Sequence, residues 1–124
     1  MKKFDVLVVG ELNVDIILDN IQGFPEVGKE IIAKDLNMTL GSSSAIFASN
    51  LSTLGAKVAF IGKVGKDSFS DFVKDSLEVK MVNTDAIISS SEYKTGLTMV
   101  MNYGSDRANV TFPGAMEHLI ENDI

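Results

Sequence analysis

Residues 40–62, "LGSSSAIFASNLSTLGAKVAFIG", contain the signals that decide the fold. A glycine and three serines precede an apolar stretch, and a serine at 42, 43 or 44 can cap the free N–H groups at a helix start. Gly55 suits the left-handed position that follows a helix, and the run at 57–62 predicts a strand. The buried side of the helix is expected to consist of apolar residues near helical spacing, namely Ala45, Ala48, Leu51 and Leu54.

An earlier run, "VLVVG" at 6–10, has the pattern of a parallel strand that is buried on both faces. This strand and the strand at 57–62 bracket the helix, so a right-handed parallel crossover is expected. A second helix begins near Asp67 or Ser68, and a third strand is predicted at 82–89. The buried face of the second helix is predicted to be Phe69, Phe72, Val73 and Leu77. The predicted fold class is α/β, a parallel sheet flanked by helices.

Further segments alternate between apolar and polar residues. The segments 11–18 and 31–40 predict half-exposed strands, and 95–104 with 107–112 predicts a hairpin that turns at "GSD". The last stretch, 113–123, predicts a helix. Its apolar residues Met116, Leu119 and Ile120 align on one side, and the methionines at 99, 101 and 116 are interpreted as packing residues.

Composition limits the possible functions. The 124 residues are 45% hydrophobic and 23% charged, as in one ordinary globular domain. The net charge is −6 without clustered lysines and arginines, so no nucleic-acid partner is expected. There are no cysteines, which excludes disulfides and favours a cytoplasmic location. The apolar run near the N-terminus is too short for a signal core or a membrane span, so no membrane partner is expected.

The sequence excludes a P-loop and a dinucleotide-binding fingerprint, and it offers no Ser–His–Asp triad. In "GKVGKDS" the glycines are too close together and Asp67 follows the lysine, unlike a P-loop. Gly10 is followed by "ELNVD" and not by the spaced glycines of a dinucleotide fingerprint. His118 is the single histidine and has no second histidine or cysteine to join it, so a surface or interface role is favoured and no metal site is predicted.

Two polar stretches are candidate binding segments. Asn13 and Asp15 follow the end of the first buried strand, where parallel sheets place their ligand crevice, and a carboxylate there can accept hydrogen bonds from two neighbouring hydroxyls. Small residues at Gly41, Ser42 and Ser43 let backbone N–H groups approach a polar ligand. Asp15 as the cap of a turn, and the serines as simple helix caps, remain the alternatives.

The chain resembles the N-terminal part of the ribokinase-like (PfkB) family of carbohydrate kinases. The resemblance extends through nearly all of 1–124 and consists of four stretches in order: "VVGELNVDIIL", "FPEVGKE", "LGSSSAIFASNLSTLGAKVAFIGKVGKDSFSDFVKDSLE" and "TGLTMVMNYGSDRANVTFPGA". It implies a partial ribokinase-like fold in which the segments near 12–20, 30–40 and 95–113 form a small β-sheet lid. In several members this lid is also a dimer surface, so a homodimer through the lid strands is a possible partner arrangement.

The resemblance also implies roles for individual residues. Asp15 hydrogen-bonds sugar hydroxyls with Asn13 nearby, and the backbone of Gly41, Ser42 and Ser43 lines the sugar pocket. Members usually carry a second glycine where this chain has Ser42, and an asparagine where it has Ile46. Ile46 cannot bind a hydroxyl, so one usual polar contact to the sugar is absent. Arg107 is expected either to contact an acidic group on the substrate or to be a solvated turn residue.

The catalytic base, the anion hole and the ATP site belong to the family's C-terminal part, and its "GAGD"-type motif does not occur in this sequence. The expected function is therefore ATP- and Mg²⁺-dependent phosphorylation of a sugar hydroxyl by the complete protein. This chain alone is expected to carry the sugar-binding part, to bind no nucleotide and to be inactive. The alternatives are a non-catalytic sugar-binding or interaction module, and a nucleoside kinase of the same fold.

Overall fold

The computed structural model describes residues 3–124. Its elements, in chain order, are β1 (Val6–Val9), β2 (Asn13–Ile21), β3 (Ala33–Leu40), α1 (Ser43–Thr53), β4 (Val58–Ile61), β5 (Lys63–Val64), α2 (Ser68–Val79), β6 (Ile88–Ser89), β7 (Gly96–Tyr103) and β8 (Asp106–Phe112). Two short 3₁₀ helices follow, at Gly114–His118 and Glu121–Asp123. None of the helices in residues 3–124 is long and apolar enough to cross a membrane.

The parallel core of the fold is confirmed. β1 pairs with β4 in parallel from Val6 opposite Val58 to Val9 opposite Ile61, and α1 lies between the two strands in the chain. The predicted third strand is present as two short pieces: a parallel bridge between Ala59 and Asn83, and β6 paired in parallel with β5. The architecture is thus of the α/β class that the sequence predicts.

The hydrophobic core lies between β1, β4 and the two helices. Its fully buried residues include Val58, Phe60, Val73 and Leu77, with Ala45 and Ala48 from α1. Burying a side chain of this size stabilises a fold by about 1.5–3 kcal/mol relative to its exposure. The predicted faces of both helices are confirmed in this core, except at the end of α1.

Two burial predictions were wrong. β1 is not buried on both faces, because Leu7 and Val9 are 56% and 43% exposed while Val8 between them is buried. The described residues put helices against one face of this strand only. Leu54 is 84% exposed, because it follows the last residue of α1 and points away from the core.

The remaining strands form a separate four-stranded sheet in the order β3-β2-β7-β8. β2 pairs in parallel with β7, although they are far apart in sequence, and both outer pairs are antiparallel. The expected β7–β8 hairpin is confirmed. These strands come from the three segments predicted for the lid.

The two faces of this sheet differ in composition, because side chains alternate along each strand. One face carries Asp15, Thr98 and Thr111 in one cross-strand row. The other face, which we call the apolar face, consists in its three central rows of Leu40, Val14, Leu97 and Phe112; Met38, Ile16, Met99 and Val110; and Leu36, Leu18, Met101 and Ala108. The base of the apolar face packs on the core beside Phe69 and Phe72.

Asp67 connects α2 to Thr95, the residue directly before β7. It caps α2 by accepting a hydrogen bond from the Ser70 N–H at 2.9 Å. The same carboxylate accepts hydrogen bonds from the Thr95 N–H at 3.0 Å and the Thr95 hydroxyl at 2.7 Å. Burial by itself raises the pKa of Asp67, but the hydrogen bonds from Thr95 and Ser70 outweigh it and hold the pKa below its ordinary value.

The predicted helix at 113–123 was wrong. Gly114 has a positive φ of 52°, and the segment forms only the two short 3₁₀ helices. Ile120, expected on the packed side, is exposed. The segment is held instead by Lys63, whose Nζ lies 2.9 Å from an oxygen of Asp123 and donates to the carbonyl of His118.

Candidate functional site

Asn13, Asp15 and Gly41 meet where β2 and β3 leave the core. β2 begins at Asn13, and the Gly41 N–H donates to the Asn13 carbonyl at 2.9 Å. A Cβ placed on Gly41 would lie 2.5 Å from Asn13 Oδ1 and 2.7 Å from Asp15 Oδ1, both far inside contact distance. Only glycine therefore fits at position 41 beside these two oxygen atoms, and the three residues predicted from separate stretches do come together.

Hydrogen bonds link this cluster to the neighbouring strands β7 and β8. Asn13 is 7% exposed, and its Nδ2 lies 3.3 Å from Asp15 Oδ1 and 3.2 Å from Thr98 Oγ1. Thr98, which is 9% exposed, is 3.0 Å from the hydroxyl of Thr111. The polar side chains of three strands thus form one connected network, with Asp15 at its half-buried end.

The N-terminus of α1 begins directly after Gly41. Of the three serines considered as caps, Ser42 is the N-cap, and its Oγ accepts a hydrogen bond from the Ala45 N–H at 3.5 Å and donates to the Glu11 carbonyl at 2.6 Å. Ser42 has a φ of 71°, a conformation that favours glycine. The family that the sequence resembles usually carries a second glycine at this position. Ser43 follows as the first helical residue and is exposed.

Arg107 lies away from this cluster. It pairs with Asn102 near the tip of the hairpin, four residues along β7 from Thr98, which corresponds to about 13 Å of strand. Its side chain is exposed on the same face as Asp15. The structure therefore does not bring Arg107 together with Asn13, Asp15 and Gly41.

The other residues considered from the sequence have ordinary surroundings. Ile46 is exposed on the second turn of α1, beside Thr39 in a shallow groove. His118 stacks on Tyr93, with 3.6 Å between the ring centroids. Within residues 3–124 no three acidic or histidine side chains lie close enough together to hold a metal ion.

A cavity beside the start of α2 does not include Asn13 or Asp15. It has a volume of about 640 Å³ and lies between the start of α2, the loop at 90–95, and Leu97 and Phe112 of the apolar face. The Asn13–Asp15 cluster lies on the opposite face of the sheet, where Asn13 is buried and Asp15 is half-buried. Its chemistry, and not an enclosing shape, makes it the candidate site.

Thr98 and Thr111 belong to the polar network but were not among the predicted site residues. The alternation of 95–104 does place Thr98, Val100 and Asn102 on one side of a strand. The alternation does not indicate which strand lies beside β7, because β2 and β7 pair across more than eighty residues of sequence. Only that pairing puts Thr98 beside Asn13.

Comparison with known proteins identifies the family of this chain. The family "pfkB family carbohydrate kinase" matches residues 3–123. The chain belongs to this family of carbohydrate kinases. It is 29% identical to the ribokinase of Haemophilus influenzae over 92% of this chain and 37% of that protein. It is 36% identical to the 5-dehydro-2-deoxygluconokinase of Clostridium botulinum strain Eklund 17B over 69% of this chain and 24% of that protein.

Comparison with solved structures supports the same family. The structure of Arabidopsis thaliana ribokinase complexed with ribose and ATP matches with a TM-score of 0.82 and 27% identity, over 88% of this chain and 36% of that one. The fold is thus the ribokinase-like α/β fold that the sequence predicts. This pfkB family chain spans only about a quarter to two fifths of the length of the relatives named here.

Proposed function

We propose that the complete protein transfers a phosphoryl group from ATP to a hydroxyl of a sugar or sugar-like alcohol, and that residues 1–124 supply its sugar-binding part. The observation that carries this proposal is the approach of Asn13 Oδ1 and Asp15 Oδ1 to the bare Cα of Gly41. Two acceptor oxygens beside a backbone without a side chain suit vicinal hydroxyl groups. Membership of a carbohydrate kinase family supports the reaction class.

Each part of the proposed site has a physical role. The Asp15 carboxylate can accept hydrogen bonds from two hydroxyls, and charge-assisted bonds of this kind are about twice as strong as neutral ones. The backbone of Gly41, Ser42 and Ser43 forms the floor, where the first N–H groups of α1 have no partner within the helix. The four-stranded sheet, from the segments near 12–20, 30–40 and 95–113, acts as a lid that excludes water from the sugar.

We propose that ATP binds the complete protein and not this chain alone. ATP with Mg²⁺ supplies the phosphoryl group, whose transfer depends on positioning and charge stabilisation. The described residues do not fit such a site, since they contain no phosphate loop and no cluster of metal ligands. We therefore propose that this chain by itself is inactive. The proposed location is the cytoplasm.

Two residues bear on the choice of substrate. Ile46 offers no polar atom where related kinases usually carry an asparagine, so we propose a substrate with fewer hydroxyl groups on that side. The Clostridium botulinum relative is named for a 2-deoxy compound, which agrees with this direction. Arg107, at the far end of the same sheet face, is proposed to contact only a substrate long enough to extend along β7.

The apolar face of the sheet supports a homodimer. Four of its residues are exposed in one chain: Leu36, Met38, Val110 and Phe112. We propose that a second copy of the protein covers them, lid against lid. In light scattering the wild type is then a dimer, Val110→Glu is a monomer, and Asn109→Glu on the opposite face leaves the dimer intact. A dimeric Val110→Glu protein contradicts this arrangement.

A coupled ADP-release assay of the complete protein tests the proposed activity. The substrate panel contains D-ribose, D-fructose, 5-dehydro-2-deoxy-D-gluconate and the common nucleosides. We expect phosphorylation of at least one sugar or sugar acid and loss of that activity in Asp15→Ala. A preference for nucleosides in competition identifies a nucleoside kinase. Inactivity on the whole panel contradicts the proposal and favours a non-catalytic binding module.

A further inference from the structure

Asn13 has an amide whose two ends differ chemically, so its orientation decides what the site offers a ligand. The nitrogen can donate two hydrogen bonds, and the oxygen only accepts. The Asp15 carboxylate is itself only an acceptor. The Asn13 atom that lies 3.3 Å from Asp15 Oδ1 must therefore be the nitrogen, and the carbonyl oxygen lies over Gly41.

The second N–H of the same amide is bound by Thr98. Thr98 Oγ1 accepts it at 3.2 Å in a buried environment. The Thr98 hydroxyl also shares a hydrogen bond with the hydroxyl of Thr111, with 3.0 Å between the two oxygens, and either hydroxyl can be its donor. Both donors of Asn13 are thus occupied within the protein, and its carbonyl oxygen is left as the atom available to a ligand.

We propose that Thr98 is a positioning residue that locks the Asn13 amide with its carbonyl oxygen toward the substrate, so that the site selects hydroxyl donors. This inference rests on the proposed sugar-kinase function. The Thr98 hydroxyl contacts both Asn13 and Thr111, so its role in this arrangement is to hold the amide. Without the Thr98 hydroxyl, one Asn13 N–H is buried and unpaired, and the contact with Asp15 alone holds the amide.

Thr98→Val removes the hydroxyl and keeps the branched shape that suits a strand. In the complete protein, with the sugar of the panel that gives the highest rate, we expect KM to rise about tenfold while kcat changes less than twofold. Thr98→Ser restores the hydroxyl and is expected to return KM to within twofold of the wild type. Thr84→Val is the matched control, since Thr84 donates to the exposed Glu78 at the other end of the parallel strands.

A measurement without substrate separates this inference from the proposed function. In the ¹⁵N-labelled protein, the side-chain N–H₂ signals of Asn13 are identified by their loss in Asn13→Asp. We expect hydrogen exchange of this amide to speed up at least tenfold in Thr98→Val and to be unchanged in Thr98→Ser and Thr84→Val. If Thr98→Val does not fold, Thr98→Ala is measured in its place.

The outcomes are distinct. An inactive wild type with Thr98-dependent exchange contradicts the sugar-kinase proposal but supports the locked amide. Exchange of the Asn13 amide that is the same with and without the Thr98 hydroxyl overturns the inference, whatever the enzyme does. A KM for Thr98→Val equal to that of Thr84→Val overturns it as well.

Discussion

Asp15 and Asp67 have the same side chain but lie in different hydrogen-bond environments. Asp67 accepts three hydrogen bonds from Ser70 and Thr95, which cap a helix and hold a strand. Asp15 is half-buried and accepts one from Asn13 among the described residues, so its carboxylate has spare acceptor positions. A carboxylate satisfied by its own chain is structural, whereas one with spare acceptor capacity is available to a ligand.

Both carboxylates act on the same strand. Asp67 binds Thr95 just before β7, and Asp15 is connected to Thr98 on β7 through Asn13. The hydrogen bonds of Asp67, which we call the closed network, therefore fix the position of β7. The polar network from Asp15 to Thr111, which we call the open network, depends on that strand. If this comparison is correct, substitutions at the open site change activity, and substitutions at the closed site change stability.

Asp15→Ala is the strongest test. It removes the acceptors for two substrate hydroxyls, so kcat/KM of the complete protein is expected to fall about a thousandfold. The free energy of unfolding is expected to change by less than about 1 kcal/mol, because few internal hydrogen bonds are lost. Asp75→Ala, exposed on α2, is the control in the coupled assay and in urea unfolding. A large loss of stability in Asp15→Ala contradicts the distinction between the two carboxylates.

Gly41→Ala tests the space beside the open site. The added Cβ would displace Asn13 Oδ1 and Asp15 Oδ1 from their present positions. We expect about a hundredfold loss in kcat/KM, as misplacement of binding groups by about 1 Å can produce. Gly104→Ala is the control, since a Cβ there meets open space at the hairpin turn and only a positive φ is strained. Equal activities of the two variants contradict the assignment of Gly41 to the site.

Asp67→Ala tests the closed network. The loss of the helix cap and of the Thr95 bonds is expected to lower the free energy of unfolding by about 2–3 kcal/mol. Asp71→Ala is the control, because Asp71 is exposed in the first turn of α2 and only its interaction with the helix dipole is lost. Urea unfolding measures both variants. Similar stabilities of the two contradict the structural role of Asp67.

The pH dependence of stability sharpens the same point. The pKa of Asp67 is held below the ordinary value of 3.8, so its carboxylate stabilises the fold above about pH 4. That contribution is lost as the pH falls through the lowered pKa. In urea unfolding from pH 7 to pH 2.5, Asp67→Asn is expected to show a flatter decline than the wild type. Parallel curves mean that Asp67 does not account for the acid sensitivity.

Ser42 gives the smallest expected effect. Ser42→Ala loses three hydrogen bonds, with Glu11, Ser44 and Ala45, and keeps the strained positive φ, so about 1 kcal/mol of stability is lost. Ser42→Gly loses the same bonds but relieves the backbone, and it is expected to be more stable than Ser42→Ala by about 1 kcal/mol. Thermal melting ranks the two variants. The reverse order means that the backbone at position 42 is not strained.

Much of this molecule can be predicted from local patterns. The capped helix after Gly41, the strands at 6–10 and 57–62 and the β7–β8 hairpin each depend on residues close together in sequence. The sequence also predicts that Asn13, Asp15 and Gly41 lie near one end of the sheet, since the first two follow a parallel strand and Gly41 precedes a helix. The antiparallel pairing of β2 with β3 then brings them into contact. In contrast, Leu7 and Val9 look buried in the sequence because an apolar run does not reveal which face is covered.

The limit of sequence analysis in this chain is long-range pairing. Thr98 can be assigned to one side of a strand, but its neighbour is β2, and nothing local specifies that register. In the segment after Pro113, the local pattern itself is misleading. Its apolar spacing is helical, yet the backbone is extended at Leu119 and Ile120, which ends the first short helix after His118.

The parallel pairing of β2 with β7 has a consequence for biosynthesis. The contact between Asn13 and Thr98 joins residues 85 positions apart, so the ribosome must synthesise most of this chain before the two can meet. Such non-local contacts form slowly because a long loop has to close first. A nascent chain that ends before β7 has the strand-helix-strand unit of β1, α1 and β4 but an unpaired edge on β2. Assembly of the polar cluster is therefore expected to be one of the last events as this polypeptide folds.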